Sequence, residues 1–463
     1  MHFIEIIYDY NMSAMMSIVH WILIGFSDRI QDLNIGFRKS LSLLTTRFAN
    51  NGKYAAIDQG VISLSNFGAS ILLATLVSPT ELGAYVLGFL ALYFIRAIQI
   101  GIIIQPLNTY GAGKEQDAFN AYFSAAAIHQ VILSILSAGS AALLGWILTS
   151  LGNDTLGPTI FVLWFSFFTW QLQEFFRRGF YTRGQVDKAV WISVTSNVVR
   201  LGMIVLWSRM GQITGLTGLN AIGWGSFVAM LVGVWLSRHH FSKKFLNPLD
   251  TWRKNWRFGR WILGASLADW VVVDLYPILM AGMISFAATG VYQTLQNLVA
   301  PIHVLLRAID TFMTPTMAKA FDESGILKIK RMLRWIFLLA GVPIIGLLIL
   351  VLIFTPQLLY LLKGETYLPY ADGIYLMAVF YLFLFINRPL QMAFRAVRQG
   401  KQVFFANILA MASMLIFGTW FIKRWGLYGA IGGQTLNAII IGLFLIVAWY
   451  RFTNLRNETE PST

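Results

Sequence analysis

Twelve long apolar runs, separated by short polar connections, constrain the fold of this chain more than any other feature. A helix needs about 20 mostly apolar residues to cross the hydrocarbon core of a bilayer. We therefore predict an all-α polytopic membrane protein with about twelve transmembrane helices. The qualifying runs are residues 55–77, 83–105, 121–149, 159–178, 189–207, 215–235, 261–284, 290–313, 335–358, 371–391, 404–421 and 430–450.

Composition supports a membrane protein and excludes several other classes. The mean hydropathy is +0.64 and only 12% of residues are charged, whereas soluble proteins carry about 25% charged residues. The net charge of +14 would suggest a nucleic-acid partner in a soluble protein. Here the basic residues cluster between apolar runs, so we predict no nucleic-acid partner. The chain has no cysteine, which excludes a disulfide, a thiol nucleophile and an iron–sulfur site.

The basic residues alternate between the two sides of the predicted membrane. The connections on one side are rich in Lys and Arg, notably residues 238–260 and 319–334. The positive-inside rule places this side in the cytoplasm, and both termini fall on it. The rich side also takes in Arg177, Arg178, Arg183 and Lys188, whereas the opposite side holds only Arg209, Lys363, Lys423 and Arg424.

An internal repeat divides the spans into two sets of six. Residues 72–85 can be laid over residues 279–292, with Leu, Ala, Ser, Gly and Tyr recurring in register at a period of about 210 residues. An even number of spans returns the chain to the same side, so the two halves share one orientation. We therefore predict two six-helix bundles related by a pseudo-two-fold axis along the membrane normal, with substrate bound between them.

These patterns predict five regions along the chain. The N-terminal arm contains an interfacial helix, or else the true start is later, since Met12, Met15 and Met16 follow closely. The regions are a cytoplasmic N-terminal arm (1–53), an N-terminal bundle (54–237), a basic cytoplasmic linker (238–260), a C-terminal bundle (261–451) and a cytoplasmic tail (452–463).

Four arginines lie inside apolar runs or at their inner ends: Arg96, Arg200, Arg307 and Arg388. An arginine at bilayer depth costs roughly 2.5–3.5 kcal/mol, so it usually faces water, a partner or a substrate. Because a guanidinium can bind phosphate through two parallel hydrogen bonds, these residues are candidates for a phosphate site. Two alternatives stay open: Arg307 can be neutralised by Asp310, and Arg307 and Arg388 can extend to the headgroups.

Other polar residues inside the runs are further candidates. Asp58, Asp269 and Asp274 are candidates for coupling to H⁺ or Na⁺, although Asp58 could instead be a salt-bridge partner. No catalytic motif is found and the outer connections are too short for a catalytic domain, so we predict no enzyme. His129 and His303 are isolated, which does not favour a metal site. The candidate cavity residues besides the arginines are Gln99, Asn66 and Asn297.

Three segments resemble bacterial polysaccharide (O-antigen-type) flippases. They are residues 57–67 (IDQGVISLSNF), 76–85 (LVSPTELGAY) and 174–184 (EFFRRGFYTRG). These flippases belong to the multidrug/oligosaccharidyl-lipid/polysaccharide (MOP) exporter superfamily, and the resemblance covers about residues 54–450. The two six-helix bundles of that superfamily agree with the repeat.

The resemblance implies a flippase that moves a polyprenyl-pyrophosphate-linked oligosaccharide from the cytoplasmic to the outer leaflet of the bacterial inner membrane. Movement by alternating access would serve surface polysaccharide (O-antigen, lipopolysaccharide) synthesis. The implied partners are membrane lipids, the lipid-linked substrate, a polysaccharide polymerase and glycosyltransferases; no cofactor besides H⁺ or Na⁺ is implied. Two alternatives remain, a cation-coupled multidrug exporter of the same superfamily and a non-transporting scaffold of a glycan assembly complex.

Overall fold

The computed structural model describes residues 47–111, 114–242 and 246–459, and the regular structure in these ranges is helical. The chain comprises two compact units, Met1–Ala55 and Ala56–Thr463. In the first unit the described residues form the start of the first helix. Residues 1–46, most of the predicted N-terminal arm, lie outside the described residues.

Six helices of the N-terminal half form what we call the N-lobe. Helix α2 contains a π-helical turn at Ile100–Ile104, and a short 3₁₀ turn, Arg238–His240, follows α6. The helices are α1 Arg47–Leu76, α2 Pro79–Gly111, α3 Gln116–Ser150, α4 Leu156–Thr182, α5 Val186–Arg209 and α6 Gly215–Ser237.

Six helices of the C-terminal half form the C-lobe. Helices α8 and α9 are separated only by Gly325, and α11 and α12 only by Gly426. Both glycines have positive φ, 66° and 55°, a backbone conformation that a residue without a Cβ adopts at little cost. The helices are α7 Pro248–Met283, α8 286–324, α9 326–363, α10 Gly373–Ala396, α11 400–425 and α12 427–459.

These twelve helices confirm the predicted all-α architecture. Each predicted span lies within one helix or extends beyond one of its ends by at most two residues. By length and composition, eight described helical stretches can cross a membrane, or nine if the two parts of α7, bent by 52°, are one span. Residues 400–454 count once in that number although Gly426 divides them. The two helices that fall short are α4 and α8, which carry polar residues such as Glu174, Arg177 and Gln293.

The predicted repeat is visible in how α2 and α8 begin. Ser78 caps α2 and Ser285 caps α8, each accepting a hydrogen bond from the backbone N–H three residues later. An N-cap serine satisfies one of the N–H groups that a helix leaves without a partner. The two serines occupy equivalent positions of the repeat, as do Tyr85 and Tyr292.

The two lobes meet where these helices begin. A Cβ atom added to Gly83 would overlap the carbonyl oxygen of Phe286, and one added to Gly290 would overlap that of Pro79. Each glycine thus touches the first residue of the opposite helix. This reciprocal contact is what a pseudo-two-fold axis between α2 and α8 requires.

Helix α7 packs on both lobes. In its first part, the Tyr122 hydroxyl donates to Asn255 Oδ1 (2.7 Å) and Trp270 Nε1 donates to the Leu90 carbonyl oxygen (3.3 Å). Beyond the bend, Tyr276 and Met280 belong to the C-lobe core. The predicted linker 238–260 is therefore helical from Pro248 onward, while the predicted domain boundaries stay predictions.

Candidate functional site: an arginine-rich interior in the N-lobe

Arg200 on α5 is a buried cation held by neutral groups. The residue is 5% exposed. Its Nη1 donates to Asn66 Oδ1 on α1 (2.6 Å) and its Nη2 donates to the Tyr85 hydroxyl on α2 (2.5 Å). Among the described residues, no carboxylate pairs with Arg200 and no acceptor reaches its Nε. The positive charge of Arg200 is therefore uncompensated within the described part of the chain.

Arg96 lies on α2 beside a row of aromatic rings. Tyr85, Phe89 and Tyr93 share one face of α2 because they are four residues apart, and neighbouring ring centroids are 6.0 and 4.7 Å apart. The Arg200 guanidinium carbon lies 5.7 Å from the Phe89 ring centroid, and that of Arg96 lies 5.7 Å from the Tyr93 centroid. The two cations thus stand beside adjacent turns of one helix, each over a ring face that attracts positive charge. The Arg96 Nε is buried without an acceptor among the described residues.

A buried ion-pair network joins α1 to α4. Arg177 Nη1 lies 2.5 Å from Asp58 Oδ2, and the Tyr181 hydroxyl donates to the same oxygen (2.6 Å). Arg177 also binds Glu174 through two parallel bonds, from Nε (2.7 Å) and Nη2 (2.8 Å). Asp58, a predicted coupling residue, is thus a salt-bridge partner in this conformation, the alternative left open by the sequence. Its second oxygen, Oδ1, is buried without a donor among the described residues.

Arg178 and Arg96 add two positive charges beside this network. Arg178 Nε lies 2.8 Å from Glu174 Oε1. Arg96 forms no ion pair with a described carboxylate, but its charge is near enough to that of Glu174 for the two to attract each other. The two carboxylates and the three nearby arginines together carry one positive charge in excess. We call this set the α4 charge cluster; its members are Asp58, Arg96, Glu174, Arg177 and Arg178.

Arg177 and Arg178, which the positive-inside pattern groups with the basic residues of the cytoplasmic side, are part of a helix of the bundle. Both lie inside α4, which continues to Thr182, and Arg177 is buried. They stay inside the bundle because Glu174 stands three and four residues before them, the spacing at which helical side chains meet. This E-x-x-R-R spacing is the signal by which Glu174, which sequence reasoning missed, could have been found.

Two other candidates lie between helices. Gln99 is fully buried and donates to Gln130 Oε1 (2.8 Å) and to the Gln171 carbonyl oxygen (2.7 Å). This position between α2, α3 and α4 is that of a helix-packing residue. Asn297 on α8 accepts a hydrogen bond from the Ser70 hydroxyl on α1 (2.8 Å), so it connects the two lobes.

The remaining candidates belong to the C-lobe half of the chain. Arg388 is half-buried on α10, and Asp274 is half-buried at the bend of α7. Asp310, considered as the neutralising partner of Arg307, forms an ion pair with Arg395 (3.7 Å). In the described part of the chain, no three His, Cys, Asp or Glu side chains are grouped to hold a metal ion. Two candidate side chains lie outside the described residues, those of Arg307 and Asp269.

Part of this site lies in a region that matches a known protein family. Residues 99–321 match the family model described as polysaccharide biosynthesis protein. The matched range includes Glu174, Arg177 and Arg200. A comparison with curated protein sequences finds no match.

Solved transporters share the fold along nearly the whole chain. The inward-facing conformation of a multidrug resistance MATE family transporter of the MOP superfamily has a TM-score of 0.71 at 14% identity, covering 88% of this chain and 100% of its own. The fold of this chain is therefore that of the MOP-superfamily transporters, and residues 99–321 match the polysaccharide biosynthesis model. The predicted two-lobe, twelve-helix fold is thereby confirmed, and the predicted superfamily agrees with both comparisons.

Two further MOP relatives show how widely this fold is used. A MOP superfamily transporter from Pyrococcus furiosus has a TM-score of 0.62 at 13% identity, covering 89% of this chain and 96% of its own. That transporter is described as having a binding pocket of reverse polarity that suggests a different function. A variant of a MATE transporter from Vibrio cholerae has a TM-score of 0.58 at 16% identity, covering 91% and 99%. Identities this low concern the fold alone, so the substrate must be argued from the site.

Proposed function

We propose that this protein is a MOP-superfamily flippase. Its substrate would be a polyprenyl-pyrophosphate-linked oligosaccharide, moved from the cytoplasmic to the outer leaflet of the bacterial inner membrane. The observation that carries the proposal is Arg200, a buried guanidinium with no carboxylate partner among the described residues. An uncompensated cation at membrane depth suits a ligand that brings its own negative charge. The polysaccharide-biosynthesis family model over residues 99–321 supports the same class of substrate.

In this proposal Arg96 and Arg200 hold the pyrophosphate, and Arg307 and Arg388 assist from the C-lobe. A guanidinium binds a phosphate through paired hydrogen bonds that a neutral headgroup cannot make. The lipid tail stays in the bilayer while the oligosaccharide occupies the cleft between the lobes. Rocking of the lobes about their contact then exposes the cleft to each side in turn.

Coupling, orientation and partners are further parts of the proposal. Asp58, Asp269 or Asp274 would take up H⁺ or Na⁺ and so drive the cycle. Both termini would lie in the cytoplasm, as the distribution of basic residues predicts. The flipped product would pass to a polysaccharide polymerase, and glycosyltransferases would supply the substrate for surface polysaccharide.

The test replaces Arg96 and Arg200 with Ala, singly and together, and measures both surface polysaccharide and headgroup flipping in liposomes. A hydrogen bond to a charged group contributes about 1.5–3 kcal/mol, so each single variant should lose roughly tenfold to hundredfold in flipping. Lys keeps the charge but not the paired geometry and should restore part of the activity.

The matched control for these substitutions is Arg253→Ala, which removes an exposed arginine paired with exposed Asp250. This control should flip at the wild-type rate. Normal flipping with both Arg96 and Arg200 replaced would refute the proposed function.

The second candidate function is export of a small cationic drug, which is favoured by the MATE transporters among the structural matches. Deletion would then raise drug susceptibility and leave surface polysaccharide unchanged. A non-transporting scaffold is separated by the liposome measurement, because a scaffold moves no lipid by itself. The uncompensated arginines favour the flippase over the drug exporter, since a cation would be repelled by them.

A further inference from the structure

In the α4 charge cluster, Glu174 keeps two hydrogen bonds to Arg177 even without Arg178. Glu174 receives two parallel hydrogen bonds from Arg177, through Nε (2.7 Å) and Nη2 (2.8 Å). Arg178 adds one bond, from Nε to Oε1 (2.8 Å). If Arg178 left, Glu174 would keep its paired bonds to Arg177. Arg178 is therefore the member of the cluster that can be exchanged at least cost.

Exposure singles out the same residue. Every residue from Gln171 to Phe180 is buried except Arg178. The Arg178 side chain is 28% exposed, against 6% for those of Glu174 and Arg177. A ligand approaching this part of α4 thus meets the Arg178 guanidinium first.

The charge balance of the cluster favours an anion as that ligand. The two carboxylates and the three nearby arginines together carry one positive charge in excess. The Arg96 Nε, in addition, is buried with no acceptor among the described residues. A buried donor without an acceptor is costly, and an incoming anion would satisfy it.

We propose that Arg178 is a third guanidinium for the substrate's diphosphate, held on Glu174 until the substrate arrives. Arg178 exchanges one anionic oxygen, Glu174 Oε1, for a phosphate oxygen, while Arg177 keeps Glu174 in place. The exchange conserves the number of charge-assisted bonds, so Arg178 keeps an anionic partner both before and after the substrate binds. This inference rests on the proposed function and adds a residue, together with its regulating carboxylate, to that site.

The exchange predicts opposite effects for the two partners. Arg178→Ala removes a charged donor to the diphosphate and should weaken binding by about tenfold or more. Glu174→Gln weakens the competing partner and should tighten binding by roughly threefold to tenfold, because the amide attracts Arg178 less than a carboxylate does. In the double variant Glu174→Gln/Arg178→Ala the gain should vanish, because Glu174 competes with the diphosphate for Arg178 and that competition is then absent.

The experiment uses the full chain in nanodiscs and measures the Kd of farnesyl diphosphate, with farnesyl monophosphate and farnesol as headgroup controls. Arg178→Lys should fall between wild type and Arg178→Ala, because it keeps the charge on a side chain without the planar fork. The exposed Asp250–Arg253 pair provides the matched controls Asp250→Asn and Arg253→Ala, which should bind as wild type. Thermal unfolding of each variant shows whether it is folded. If Arg178→Ala or Glu174→Gln does not fold, Arg178→Lys and Glu174→Asp replace it in the test.

Three outcomes are distinct. Weaker binding in Arg178→Ala, tighter binding in Glu174→Gln and loss of that gain in the double variant support the inference. The inference is overturned, but the proposed function is not, if Arg178→Ala binds the diphosphate with the same preference as wild type. The same holds if the tighter binding of Glu174→Gln persists in the double variant. Equal wild-type binding of all three probes overturns the proposed function as well.

Discussion

The two lobes share a backbone frame but differ in the chemistry of their interiors. Both Ser78 and Ser285 cap a helix, and both Gly83 and Gly290 touch the opposite lobe's backbone. These paired features show that the frame was kept in both copies of the repeat. Features that occur in both lobes are therefore those that the fold requires, and features that occur in one lobe need another explanation.

The difference lies in the buried charges. Among described residues, every buried Asp, Glu, Lys or Arg lies in the N-lobe: Asp58, Glu174, Arg177 and Arg200. The described buried polar groups of the C-lobe are neutral. There the Tyr292 hydroxyl donates to Gln434 Oε1 (2.5 Å) and accepts from Gln296 Nε2 (2.7 Å).

This difference between the lobes indicates that the stability of the fold does not account for the buried charges of the N-lobe. A buried ion pair gains little net stability over apolar packing, because removing both charges from water is costly. In the described part of the C-lobe, buried polar groups are joined by neutral hydrogen bonds such as those of Tyr292. Under the proposed function, the N-lobe carries these charges for the substrate or for the transport cycle. Three sets of substitutions test this comparison between the lobes.

The largest effect is expected from Arg177→Ala. The change leaves two buried carboxylates, Asp58 and Glu174, without their main partner and should lower the free energy of unfolding by about 3–5 kcal/mol. The matched surface change is Arg253→Ala, which breaks an arginine–acid pair of the same three-residue spacing and should cost less than about 1 kcal/mol. Thermal unfolding in detergent measures both, and equal losses would contradict the burial argument.

A medium and equal effect is expected at the contact between the lobes. Gly83→Ala and Gly290→Ala each place a Cβ against a backbone oxygen of the other lobe, which should cost about 1–3 kcal/mol. Gly139→Ala and Gly202→Ala are controls in open space, where alanine favours the helix. The symmetry of the frame would be contradicted if Gly83→Ala and Gly290→Ala changed the free energy of unfolding by different amounts. It would also be contradicted if neither variant were less stable than the controls.

The smallest effect on stability, and the sharpest on function, is expected from the equivalent tyrosines of the repeat. Tyr85→Phe removes an acceptor from Arg200, and Tyr292→Phe removes the bonds to neutral Gln434 and Gln296. Each should lower the free energy of unfolding by roughly 0.5–1.5 kcal/mol. Only Tyr85→Phe should slow flipping in liposomes, because only Tyr85 orients a cation of the proposed site. Equal flipping by the two variants would remove the functional difference between the lobes.

The spans and the repeat were predictable, whereas the contacts of the site were not. The apolar runs and the Ser78/Ser285 register are visible in short stretches of sequence. Arg200 was identified as a buried candidate, but its partner Asn66 lies 134 residues away along the chain. The pair of Asp58 with Arg177 spans 119 residues. No local pattern specifies which of several distant polar groups meets a given arginine.

The sequence by itself determined that this chain inserts into a membrane as two repeats of six helices. That outcome depends on the length and polarity of each run against the thickness of a bilayer, which are local properties. Only the tertiary structure decided that Arg177 is neutralised by carboxylates while Arg200 rests on neutral oxygens. The physical reason is that the free energy of a buried charge depends on groups within a few ångströms, and the packing of distant helices places those groups.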